Sequence, residues 1–190
     1  KRKNIKDKNY INKITKGVYE LGSVFKTFTL AAALDENLIE VDSKFIDLEK
    51  SIDCGKNTIR EYDKKIPKDL TAEEILIRSG NIGSVRIGQK IGVEKFRQFL
   101  TKINLINKIE FDIDEVGIPI PFKWGKCKLA TTSFGHGITT TPLQLAKGYA
   151  IVTNGGFDVN PTIIKKKRKK LIKDKKREHK EKEKKKNKTK

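Results

Sequence analysis

From Val24 to Leu34 nearly every position is apolar, the run being broken only by Lys26, Thr27 and Thr29. A helix that is apolar on all faces is a buried one. The pattern therefore predicts a core helix over residues 23–34, with Ser23 at its N-cap or in its first turn. A second pattern starts at Thr71, where Thr71-Ala72-Glu73-Glu74 is a capping-box sequence that predicts a helix running toward Arg78. Ser79-Gly80-Asn81 interrupts it. Residues 82–90 read as another short helix, and Gly92 separates that from one over residues 93–103. A last helix fits residues 142–154, with Pro142 near its start and Gly155-Gly156 past its end. Residues 41–63 carry strand-like and turn-like pieces, with Cys54-Gly55-Lys56-Asn57 as a turn. Residues 109–126 read as irregular. No internal repeat is evident.

The two ends differ from this middle. Residues 1–16 are rich in Lys and Asn and read as poorly ordered. From Lys165 onward the chain is low-complexity and charged, too polar to bury, and reads as disorder or a solitary solvated helix. The expected organisation is thus a poorly ordered segment (1–16), an α+β body that is mainly helical with few strands (17–164), and a basic tail (165–190).

Charge sharpens that division. The 190 residues carry a net charge of +19. Residues 165–190 hold 17 Lys and Arg against 4 Asp and Glu, or +13, so the body is only mildly basic. A run of this kind is usually a solvated face; an RNA- or anionic-lipid-binding module built on the tail is the sharper alternative, and nucleic acid is not the expected partner. The chain begins at Lys1 and contains no Met, which leads us to expect a fragment or a processed form. No apolar run approaches the ~20 residues that cross a bilayer, and no signal peptide is visible. Cys54 and Cys127 follow no metal-binding spacing. They read as two free thiols, unless an oxidising compartment and Cα atoms within about 7 Å allow a disulfide.

Three short segments could carry chemistry. Ser23-Val24-Phe25-Lys26 places a hydroxyl and an amine on one face of a helix. In an apolar helix, desolvation lowers the lysine pKa and frees amine to accept a proton. By itself the pair also fits a capping serine beside a snorkelling lysine. Ser79-Gly80-Asn81 alone fits a helix-ending turn. Ser133-Phe134-Gly135-His136-Gly137 holds the body's single histidine, so a Ser-His-Asp triad is unattractive. We expect His136 to be a packing residue.

The order of the three segments is more specific than any of them. Residues 19–34, Tyr-Glu-Leu-Gly-Ser-Val-Phe-Lys-Thr-Phe-Thr-Leu-Ala-Ala-Ala-Leu, resemble the active-site helix of penicillin-binding protein transpeptidases, most closely the class B, cell-division type. Residues 71–89 resemble that family's Ser-x-Asn segment, and residues 132–156 the loop and helix that follow. The resemblance spans residues 9–164. It implies a partial β-lactamase/transpeptidase-like fold, chiefly the helical subdomain. It implies that Ser23 is acylated by a peptidoglycan stem peptide or a β-lactam, that Lys26 is the base, that Ser79 relays a proton and that Asn81 binds the substrate amide. It further implies no cofactor and no metal, glycosyltransferase and divisome partners, and a domain on the periplasmic side of the cytoplasmic membrane. A serine β-lactamase or β-lactam sensor shares Ser-x-x-Lys, but the Gly137-Ile138-Thr139-Thr140-Thr141-Pro142-Leu143-Gln144 run argues against both. The family's Lys-[Ser/Thr]-Gly motif is absent from these residues, so weak or no acylation is expected of this chain alone.

Overall fold

The computed structural model describes residues 10–165 except Lys56. A 3-10 turn, Gly22–Phe25, leads directly into α1 (Lys26–Asp35). Then come β1 (Lys44–Phe45), β2 (Ser51–Cys54), β3 (Asn57–Arg60) and β4 (Leu70–Thr71). The rest is helical: α2 (Ala72–Ile77), α3 (Asn81–Ile91), α4 (Val93–Lys102), α5 (Lys126–Thr132) and α6 (Pro142–Thr153). The architecture is α+β and mainly helical, in agreement with the sequence reading.

The strands form two small antiparallel pairs. β1 pairs with β4, setting Lys44 against Thr71 and Phe45 against Leu70. β2 and β3 make a hairpin with Ser51 opposite Arg60 and Cys54 opposite Asn57, so the expected turn at 54–57 is a hairpin turn. A separate bridge joins Tyr19 to Thr140.

α1 is the buried helix that its composition demands. Phe28, Ala32 and Ala33 are fully buried, and α3 packs along α1 with Ile82 and Val85 equally buried. α4 adds Phe96 and Leu100 to the same core. α2 and α6 each begin with a complete capping box, Thr71 with Glu74 and Thr141 with Gln144. Both caps satisfy N–H groups that a helix start otherwise leaves unpaired.

Four features depart from the sequence reading. The helix expected from residue 23 begins with a 3-10 turn; of the two places expected for Ser23 it takes the first turn and not the cap. Gly22 explains the tight entry: its φ of 63° lies in the left-handed region that favours glycine. α5 was not expected, because it has seven residues and no capping side chain at Gly125. The cysteines are not free thiols: Cys54 and Cys127 form a disulfide with Cα atoms 5.3 Å apart. It ties the β2–β3 hairpin to the first turn of α5. Finally, Thr15 is buried within the segment read as poorly ordered, donating to the Glu115 carbonyl at 2.6 Å.

The chain divides into a body, residues 1–160, and a second unit, residues 161–190. Of that unit only 161–165 are described; the expected disordered or helical state of the basic tail lies outside the described residues. Among the described residues no helix is long and apolar enough to cross a membrane.

Candidate active site

α2 ends in a turn built for reversal. Ser79 N–H donates to the Leu76 carbonyl and Gly80 N–H to the Ile75 carbonyl, the paired bonds of a Schellman motif. That motif requires a left-handed residue, and here it is Ser79, with φ 53°. Glycine is the ordinary occupant, so the serine carries strain of about 1 kcal/mol that a side-chain role would explain. Gly80 then caps α3 in extended conformation, and Asn81 is the first residue of that helix.

Lys26 reaches this turn from α1. It is 2% exposed, yet its amine is fully engaged. Nζ donates to the Ser79 carbonyl, to Ser79 Oγ at 3.0 Å and to Asn81 Oδ1 at 2.8 Å. Burial lowers its pKa from the ordinary 10.5 to about 8, and the negative charge of Glu61 opposes part of that fall. At pH 7 roughly a tenth of such a group is neutral, about 300 times the fraction in an ordinary lysine. A buried, partly neutral amine held against a serine hydroxyl can pass a proton in either direction.

Ser23 lies one turn before Lys26, exposed, with its carbonyl accepting the Lys26 N–H. The structure thus joins Lys26, Ser79 and Asn81 in one network and sets Ser23 on the same helical segment. Among the described hydrogen bonds, none joins Ser23 Oγ to Lys26 Nζ. The third motif packs beside it. At Gly135, with φ 83°, a side chain would collide with the Gly22 carbonyl and Phe25. Only glycine allows this loop to lie against the turn that presents Ser23. His136 points outward, stacked on Phe134 with Nδ1 3.3 Å from Glu20. It is an exposed surface partner, not the packing residue expected from sequence.

Two supporting residues escaped the sequence reading. The Tyr149 hydroxyl of α6 donates to the Val24 carbonyl at 2.7 Å, fixing the Ser23 turn from behind. The Glu61 carboxylate, one residue past β3, accepts from the Asn81 N–H at 2.6 Å and the Ile82 N–H at 2.9 Å. Neither sits in a recognisable motif. The one available signal for Glu61 was its place as an acid at the end of a strand-like piece. Among the described residues there is no cluster of His, Cys, Asp and Glu fit for a metal ion. A cleft of about 520 Å³ opens elsewhere, between the β1 region and α3, and none of the four residues lines it.

Comparison with known proteins places this geometry in context. The penicillin binding protein transpeptidase domain model matches residues 1–190. The "Probable peptidoglycan D,D-transpeptidase FtsI" of Caulobacter vibrioides is 33% identical over 161 residues, covering 84% of this chain and 27% of that relative. Among solved structures, a peptidoglycan glycosyltransferase from Burkholderia ambifaria superposes with a TM-score of 0.76 at 24% identity, covering 85% of this chain and 51% of the other. The transpeptidase domain of Burkholderia pseudomallei penicillin-binding protein 3 gives 0.75 at 23% identity, covering 83% and 48%. The chain spans about a quarter of the length of the curated relatives that it matches.

Proposed function

We infer a function from one premise: this chain belongs to the penicillin-binding protein transpeptidase family. Its reaction is acyl transfer in peptidoglycan cross-linking. Ser23 attacks the penultimate carbonyl of a D-Ala-D-Ala stem peptide and the terminal D-Ala leaves; a second stem-peptide amine then takes the acyl group. A β-lactam enters the first step and stays on Ser23. Lys26 accepts the Ser23 proton as the bond to carbon forms. Ser79 carries a proton to the leaving amine, and Asn81 holds the substrate amide. The Ser23 N–H, at the start of the helical segment, donates to the developing oxyanion.

The observation that carries this reading is Lys26: buried, lowered to about 8, and bonded to both polar residues of Ser79-Gly80-Asn81. The parent protein would work on the outer side of the cytoplasmic membrane with glycosyltransferase and divisome partners. The Cys54–Cys127 disulfide supports that side, since such bonds persist in oxidising compartments.

The test is intact-mass analysis after long exposure to a fluorescent penicillin. The expected result is a slow adduct on Ser23 that Ser23→Ala abolishes. Equal labelling of the two chains would overturn Ser23 as the nucleophile.

A further inference from the structure

The negative charge of Glu61 raises the Lys26 pKa against the effect of burial, and the carboxylate does so while bonded elsewhere. Its two oxygens are divided between the first two N–H groups of α3, Asn81 through Oε2 and Ile82 through Oε1. The same hairpin makes a third attachment, because Asn81 Nδ2 donates to the Arg60 carbonyl at 2.9 Å. Asn81 is thereby held on its backbone and its side chain by residues 60 and 61, leaving Oδ1 aimed at Lys26. The hairpin is itself anchored, by buried Ile59 and by the disulfide at Cys54.

Several charged groups on elements packed against α1 have partners of their own. Lys95 and Lys102 of α4 pair with Glu36 and Asp35 at the far end of α1. Arg86 of α3 pairs with Glu49, and Lys90 lies over the Phe45 ring. On α2, Glu74 serves the Thr71 cap, and Glu73 and Arg78 are exposed.

We propose that Glu61 is a positioning residue of the active site: bonded to the Asn81 and Ile82 N–H groups, it fixes the Ser79–Asn81 turn where Lys26 meets it. A carboxylate at a helix N-terminus ordinarily contributes only local stability. Here it also holds the turn whose Ser79 and Asn81 side chains accept from Lys26.

This inference rests on reading Lys26 as the base, so its test is made without acylation. The pH dependence of the Lys26 Cε chemical shift, followed by NMR on the full chain, reports the buried amine without needing a reagent to reach it. The unchanged chain should show a midpoint near 8. In Glu61→Gln the opposing charge is gone, and the midpoint should fall by about 0.5–1 unit, while amide exchange at Asn81 and Ile82 quickens at least ~tenfold. Thr71→Ala, which removes a neighbouring helix cap and no charge, should leave the midpoint in place. An unmoved midpoint in folded Glu61→Gln, or an equal fall in Thr71→Ala, would overturn the proposal. If Glu61→Gln does not fold, Glu61→Asp decides. Its shorter carboxylate should keep the midpoint near 8 and lose amide protection at Asn81 and Ile82 alone; unaltered protection there overturns the proposal. A chain whose Lys26 behaves as expected but which Ser23→Ala leaves equally labelled by penicillin would instead count against the functional reading.

Discussion

Ser79 pays a conformational cost that its neighbours do not. The Schellman turn at the end of α2 would be satisfied as well or better by glycine, and only the hydroxyl facing Lys26 gives serine a purpose there. Ser79→Gly should therefore raise the melting temperature by about 2 °C, the effect of relieving strain of roughly 1 kcal/mol in a domain of this size. The same change should slow β-lactam acylation at least ~tenfold, the usual trade between stability and a strained site. Calorimetry and adduct formation on one preparation check both. Lys26 sets the pH behaviour. If its neutral form is the base, the acylation rate climbs with pH through about 8 and then levels, and Lys26→Arg removes that limb. Stability follows the same group: folded Lys26 releases its proton near 8 and the unfolded chain near 10.5. Between those values the unfolded state binds more protons, so unfolding free energy rises with pH across that window. A Lys26→Met chain should lack this rise, which denaturant titrations at pH 8 and 10 would show.

At the scale of elements, legibility followed the presence of local chemistry. α2 and α6 could be placed from sequence because Thr71-Glu74 and Thr141-Gln144 are complete caps, and α1 because its apolar run leaves no solvent face. α5 had none of these marks. It is held by contacts distant in sequence: Cys127 bonds to the hairpin, and Leu129 and Ala130 bury against the core. Its close approach to α3 depends on Gly88, where any Cβ would overlap Ser133 Oγ, a hydroxyl already bonded to the Leu129 carbonyl. Gly88→Ala should destabilise the fold by about 1–3 kcal/mol through overpacking, measurable by chemical denaturation. The strand pairs β1 and β4, at two residues each, are too short to carry any alternation. The Lys26, Ser79 and Asn81 network was legible because its members lie in ordered motifs. Glu61 was not, because its importance comes from a hairpin folding back across 20 residues to meet Asn81.

For the molecule as a whole, the disulfide sets the scale of stability that can be lost at once. Cys54 and Cys127 are separated by 73 residues, and a cross-link closing a loop of that length contributes typically about 2–4 kcal/mol. Adding reductant should lower the denaturation midpoint accordingly, and Cys54→Ser should reproduce the reduced value. The link also changes what counts as one molecule. It closes a covalent ring holding Glu61, Ser79 and Asn81, with Ser23 and Lys26 on the leading strand outside it. A protease that nicks the ring beside exposed Tyr62 or Ile120 cuts the backbone without releasing a piece. Such a nicked species runs as one band without reductant and two with it, and all five residues travel together until the sulfurs are parted.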